Sequence, residues 1–309
     1  MTAKEILSDR DKMKLRRMLS DEIYGAIPER PTHLSDDFVS EDKHFAAGKA
    51  VLKRINLICD FEGRKKEIPL SVITPVGKEI QKFIVYLSYD SNIPSKYLPC
   101  EEIIDRGYAL AILDRSVITN FDGNFKDGIG THIKITRKRK DAPSKIALWA
   151  WGVMRVVDYL CDQSYVDKDR ITVAAHSLLG KAALLACAFD ERISIVIAND
   201  SMNMGFAVPP EQVAEEHPYL FCPRLIELVE KGEMPSDHGL LLELCADRRI
   251  LVGVSEDDPR SDTEGELEQL KLLADRGYCG DNFHYHSRRG SHYLSRDDWK
   301  IFLDVLDDI

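Results

Sequence analysis

A serine hydroxyl becomes a useful nucleophile only when a base takes its proton, and one serine of this chain stands where that could happen. Ile171-Thr172-Val173-Ala174 is a short apolar, partly β-branched run, the form of a strand covered on both faces. Lys181 to Phe189 is Ala-rich, the composition of a helix packed closely on a sheet. Between them, Ala175 and Gly180 supply the small neighbours that an abrupt strand-to-helix turn needs, with Ser177 at its apex. Such a turn lifts the hydroxyl out of the sheet and sets the backbone N–H of Leu178 beside it, where negative charge develops on an attacked carbonyl. The plain alternative is a βα turn with a serine near a helix N-cap.

Histidine is the base whose pKa suits proton transfer near neutrality. Of nine histidines, His292 is the candidate, on a Gly290-Ser291-His292 turn after the last predicted strand. His284 and His286 read as alternate residues of that strand, and His176 as packing within the turn before Ser177. Two carboxylates could orient His292. Asp200 closes the strand Ile193 to Ala198, and Asp258 follows the strand Arg249 to Val254 in an Asp-Pro-Arg turn. The apolar strand before it favours Asp258; Asp257 and Glu256 stay open, and the plain reading of all three is a solvated turn. A second backbone donor to the oxyanion is expected near Ser88 or Tyr89, after the strand Lys82 to Ser88.

These residues need a scaffold that brings distant turns together. Ala50–Asp60 and Lys66–Thr74 predict two antiparallel strands about Glu62-Gly63. Lys82–Ser88, a helix through Glu101–Arg106 and Tyr108–Leu113 predict a parallel crossover. Residues 114–144 form a long polar loop, and Lys145–Cys161 an amphipathic helix carrying Trp149 and Trp151, which i, i+2 spacing keeps off one shared face. Helices are expected near Gly239–Ala246, over Glu264–Arg276 and from Asp297. The alternation predicts an α/β fold, a three-layer sandwich around a mostly parallel, doubly wound sheet. In such sheets ligands bind at the carboxyl ends of strands, where Ser177, Asp200, Asp258 and His292 all fall. Their order, serine then acid then histidine, is that of an α/β-hydrolase. Residues 1–48 are expected to form a helical arm or cap, and 49–309 the hydrolase domain.

The 309 residues, 44% hydrophobic, can bury a large core. A net charge of −10 argues against a nucleic-acid or anionic-membrane binder, since both need a basic face. The Met1 end lacks a basic-then-apolar leader pattern and no run approaches a membrane span, so a cytoplasmic setting is expected. Seven cysteines without Cys-x-x-Cys pairs show neither zinc spacing nor a disulfide framework. No cofactor and no metal are expected. The oligomeric state is left open.

From Lys49 onward the chain resembles α/β-hydrolases of the glucuronoyl esterase and acetyl xylan esterase type. The resemblance rests on Tyr97 to Gly107, Trp149-Ala150-Trp151, Asp167 to Ile171, Ala188 to Arg192, Asn199-Asp200-Ser201, Asp258 to Asp262 and Tyr285 to His292. It implies a serine esterase acting through an acyl-enzyme on a carbohydrate ester, an acetylated sugar or a uronate ester of small or oligosaccharide size. It also implies an arginine after the serine, supporting the oxyanion, where this chain has Leu178, and a sugar-facing role for Lys181, whose plain alternative is a solvated first-turn lysine. Leu178 motivates the competing expectation of a catalytically degenerate scaffold with a binding role. A peptidase or dienelactone-type hydrolase rests on fold analogy alone.

Overall fold

Among the described residues a nine-stranded sheet runs through the protein and sets Ser177, Asp200, Asp258 and His292 beyond the carboxyl ends of its strands. The structure, a computed structural model, describes residues 7–201, 217–233, 240–259 and 281–309 together with positions 271, 275 and 277. The strands are β1 (His33–His44), β2 (Ala50–Phe61), β3 (Arg64–Pro75), β4 (Lys82–Ser88), β5 (Tyr108–Asp114), β6 (Ile171–His176), β7 (Ile193–Asn199), β8 (Arg249–Ser255) and β9 (Phe283–Arg288). Their order is β1-β2-β3-β5-β4-β6-β7-β8-β9. β1, β2 and β3 pair antiparallel with their neighbours, and from β5 to β9 every pairing is parallel.

Parallel strands need crossover helices, and these cover both faces. Lys145–Asp162 and Leu178–Phe189 lie in one core layer with Phe83, Val85 and Leu87 of β4. Cys100–Asp105 and Arg296–Asp307 lie in the other with Ile84 and Tyr86. That is why β4 reads as an unbroken apolar run: alternate side chains enter different layers, each burial contributing about 1.5–3 kcal/mol. In chain order the longer helices are α1 (Asp9–Met18), α2 (Cys100–Asp105), α3 (Lys145–Asp162), α4 (Leu178–Phe189), α5 (Pro223–Glu230) and α6 (Leu240–Leu244), closed by α7 (Arg296–Asp307). Trp149 and Trp151 are fully buried in α3, their indole N–H groups donating to the carbonyls of Thr119 (3.1 Å) and Glu29 (3.0 Å). Among the described residues no helix is long and apolar enough to cross a membrane.

Residues 7–48 differ from the helical arm expected over 1–48. α1 is present, but His33–His44 forms the edge strand β1, in register with β2 from His33↔Asp60 to Asp42↔Leu52. Its sequence carries Asp36, Asp37, Glu41, Asp42 and Lys43 and most of it is exposed, so no apolar alternation marks it. Charged edge strands resist pairing with other chains, which is the physical sense of that composition. Leu19, Ile23 and Tyr24, just after α1, are buried in the main core. The segment is thereby part of the domain's own packing.

The long loop after β5 is ordered by one buried cation. Lys145, with no exposed side chain, donates to Thr119 Oγ1 at 2.6 Å and to the Asn124 carbonyl, and lies 3.5 Å from Asp127 Oδ1. Asp127 also accepts from the Thr119 hydroxyl and the Asn120 N–H, both at 2.8 Å. A buried charge is tolerable only when so paired, and here the pairing fixes the loop's course. The helix expected over Glu264–Arg276 falls largely outside the described residues.

Candidate active site

Ser177 sits between β6 and α4 with φ 59° and ψ −136°, a strained conformation for a residue with a Cβ. The turn is held by the Ser177 N–H, which donates to the Asn199 carbonyl at 2.8 Å. Gly180 is required by close approach: a Cβ there would lie 1.7 Å from Ser201 Oγ. Gly180 thus serves the packing of α4 against the end of β7.

β9 delivers His292 to the same edge. Its Nδ1 stands 2.6 Å from Asp258 Oδ2 and its Nε2 2.7 Å from Ser177 Oγ. A carboxylate can only accept, so Nδ1 carries the proton, donating to Asp258, and Nε2 accepts from the Ser177 hydroxyl. Asp258 is 3% exposed. Asp257, one residue earlier, accepts from the Gly290 N–H at 2.8 Å, and Glu256 from the Ser287 hydroxyl at 2.8 Å. These two acids sew the Asp258 and His292 turns together.

Asp200 is the second carboxylate near the base, its Oδ2 4.0 Å from His292 Nδ1. It accepts from the Ser255 N–H (2.7 Å) and hydroxyl (2.9 Å), Asn199 Nδ2 (3.1 Å) and the Tyr293 N–H (3.2 Å). With φ 48° and four donors it anchors the ends of β7 and β8 and the chain beyond His292. Burial raises its carboxyl above the usual range, although Ser255 and the neighbouring His292 pull it down. Asp258 is therefore the acid in hydrogen-bond contact with the base, and Asp200 stands behind it.

His176 lies between the Tyr97 ring (5.5 Å) and the His292 ring (4.5 Å), its Nδ1 accepting from Asn199 Nδ2 at 3.1 Å. Burial, then the nearby His292, lower its pKa to about 3. It is a neutral packing partner of the base. Donor atoms of His176, Asp200 and His292 gather within 4.8 Å and could in principle hold a metal ion. Both nitrogens of His292 are already engaged by Asp258 and Ser177. His286 is bound instead to Asp298, Nε2 to Oδ1 at 3.0 Å.

Of the other expected contacts, Leu178 opens α4, so its N–H belongs to the first turn of that helix, where it has no carbonyl one turn back within the helix to donate to. Ser88 is buried at the end of β4, and its hydroxyl accepts from the Asp90 N–H at 3.3 Å. Tyr89 brings its phenol to the turn, donating to the His176 carbonyl at 3.4 Å. Lys181 is 3% exposed, so the solvated alternative does not hold. The roles of Asp257, Ser255, Asn199 and the Tyr89 phenol went unread in the sequence; only the doubled acid before Asp258 hinted at any of them.

A mostly parallel sheet with helices on both faces, bearing serine, histidine and acid in this order at its carboxyl edge, defines an α/β-hydrolase. Residues 61–263 match the family described as glucuronyl esterase, fungi, and the chain belongs to that family. A carbohydrate esterase, MZ0003, from an unknown prokaryotic organism is 27% identical over 241 residues, 67% of this chain and 55% of that protein. A 4-O-methyl-glucuronoyl methylesterase from Cerrena unicolor is 39% identical over 126 residues, 35% of this chain and 26% of that one. The chain thus spans about half the length, or less, of these curated relatives. A glucuronoyl esterase from Solibacter usitatus superposes with a TM-score of 0.86 over 98% of this chain and 94% of that one, at 23% identity.

Proposed function

We propose that the protein is a serine hydrolase of carboxylic esters whose substrate is a uronate ester of a carbohydrate. The observation that carries the reading is the Ser177–His292–Asp258 relay, with separations of 2.7 and 2.6 Å. Ser177 Oγ attacks the ester carbonyl while its proton passes to His292 Nε2. The carbonyl electron pair moves onto oxygen beside the first N–H groups of α4, where the helix's positive end also lies. Asp258 holds the productive tautomer and stabilises the imidazolium. His292 then gives the proton to the departing alcohol, leaving an acyl-enzyme; water attacks the acyl carbon as the same histidine takes its proton, and that proton returns to Ser177 Oγ as the acid is released. Family membership supports a uronate acyl group, and a 4-O-methyl-glucuronoyl methylesterase among the relatives supports a small alcohol as leaving group.

The test is hydrolysis of methyl and benzyl D-glucuronate, followed by titration of released acid, with p-nitrophenyl acetate for comparison. The expected result is turnover of the glucuronates that Ser177→Ala abolishes. Acetate release dependent on Ser177, with no action on either glucuronate, would move the reading to an acetyl esterase. Rates unchanged by Ser177→Ala would remove the esterase reading.

A further inference from the structure

The side chain of Leu178 gives the oxyanion nothing, yet a polar side chain from another strand reaches the same turn. Tyr89 follows β4, which pairs directly with β6, so the end of β4 lies alongside the strand that delivers Ser177. Its phenol donates to the His176 carbonyl at 3.4 Å, near the outer limit of a hydrogen bond. It also lies close enough to the Ser177 hydroxyl and the Leu179 N–H to interact with both. A donor held by so long a bond can turn to a stronger acceptor at little cost, and an alkoxide forming beside Ser177 is such an acceptor.

Behind the phenol stands Arg115, just beyond β5. Its guanidinium carbon lies 5.7 Å from the centre of the Tyr89 ring and 5.8 Å from those of both Phe121 and Trp149. Its Nε and Nη1 are shielded from solvent and make no hydrogen bond among the described residues. A guanidinium is costly to leave so poorly paired, and three aromatic faces return only part of that cost. The loop bearing it is fixed: the Arg115 carbonyl accepts from Ile118 and Thr119, and Thr119 is tied to the buried Lys145. Such a cation draws electron density from the ring it faces and strengthens the phenol as a donor.

We propose that the Tyr89 phenol is a side-chain oxyanion donor of this site and that Arg115 is its positioning residue, polarising the phenol and holding its ring. This rests on the esterase reading above. No proton moves in the step: the phenol O–H bonds to the oxygen that gains the carbonyl electron pair, and the proton transfer remains between Ser177 and His292. Burial raises the phenol above its ordinary value, while Ser177, Arg115 and Leu179 oppose it. The phenol is therefore protonated, as a donor must be.

Steady-state hydrolysis of benzyl D-glucuronate, or of p-nitrophenyl acetate if that is the better substrate, tests this in wild type, Tyr89→Phe, Arg115→Gln, Arg115→Lys and the Tyr89→Phe/Arg115→Gln pair, beside Ser177→Ala. Tyr89→Phe is expected to lower kcat roughly 10²–10³-fold with KM within about threefold, the signature of a lost transition-state donor. Arg115→Gln is expected to lower kcat roughly three- to tenfold, the scale of one cation–π contact, and to add nothing in the Tyr89→Phe background. Arg115→Lys, which keeps the charge, is expected to fall between. Melting temperatures separate these effects from loss of fold, and Tyr89→Phe keeps the ring that packs. Ser177-dependent turnover that Tyr89→Phe leaves unchanged would overturn the proposal while sparing the esterase reading. Independent, multiplying losses in the pair would overturn the role of Arg115, and turnover indifferent to Ser177→Ala would overturn both readings.

Discussion

Asp258→Asn separates the two carboxylates that face His292, and the distances set the size of its effect. The 2.6 Å contact to Nδ1 selects the tautomer and stabilises the imidazolium, and removing such an acid from a serine–histidine relay costs about 10⁴ in kcat, roughly 5 kcal/mol. Here a second carboxylate, Asp200, remains 4.0 Å from the same nitrogen. At the effective dielectric of a protein site a unit pair at that distance is worth up to about 4 kcal/mol, so part of the imidazolium's stabilisation survives. It cannot restore the tautomer, because 4.0 Å is not a hydrogen bond. The expected loss for Asp258→Asn is therefore about 10²–10³, deepening toward 10⁴ when Asp200→Asn is added. Asp200→Asn alone is expected to lower kcat less than Asp258→Asn does but to destabilise the fold by about 1–3 kcal/mol, since an amide NH₂ must face at least one of the four donors the carboxylate now satisfies. The assay is kcat at a temperature well below each variant's midpoint, with thermal unfolding measured alongside. A larger kcat loss for Asp200→Asn, or an Asp258→Asn rate within tenfold of wild type, would refute this division of labour.

Other expectations follow from neighbouring contacts. Gly180→Ala should lower stability by about 1–3 kcal/mol and reduce turnover, because its Cβ would collide with Ser201 at the turn; a variant equal to wild type in both would show that the turn yields freely. Leu178→Arg should change kcat by less than about tenfold, since a side-chain donor already serves the site; a larger gain would show the oxyanion to be under-supported in the native protein. His176, neutral in the folded state down to about pH 3, takes up its proton more readily when unfolded. Stability should therefore fall as pH drops from about 6.5 toward 3, and His176→Gln should flatten the melting-temperature profile in that window; an unchanged acid limb would contradict the shift.

What the sequence disclosed depended on whether a feature was local. β4 through β8 were readable because strands buried on both faces are continuous apolar runs, and the turn at Ser177 because its geometry demands small residues within three positions. β1 was not, since an exposed edge strand carries charge where periodicity would otherwise show. The choice between Asp200 and Asp258 turned on a difference of 1.4 Å in reach to one nitrogen, which no spacing encodes. The backbone of Tyr89 is placed by the apolar strand before it, but the direction of its ring depends on the β4–β6 pairing, and Arg115 lies in a loop whose order comes from the distant Lys145.

All of the proposed chemistry depends on Ser177 being a nucleophile activated by His292. Intact-mass and peptide mass spectrometry after treatment with a fluorophosphonate tests it most directly. The expected result is a single adduct on Ser177, absent in Ser177→Ala and formed far more slowly in His292→Ala. No adduct on folded protein, an adduct on another residue, or labelling of Ser177 at the same rate without His292 would contradict it.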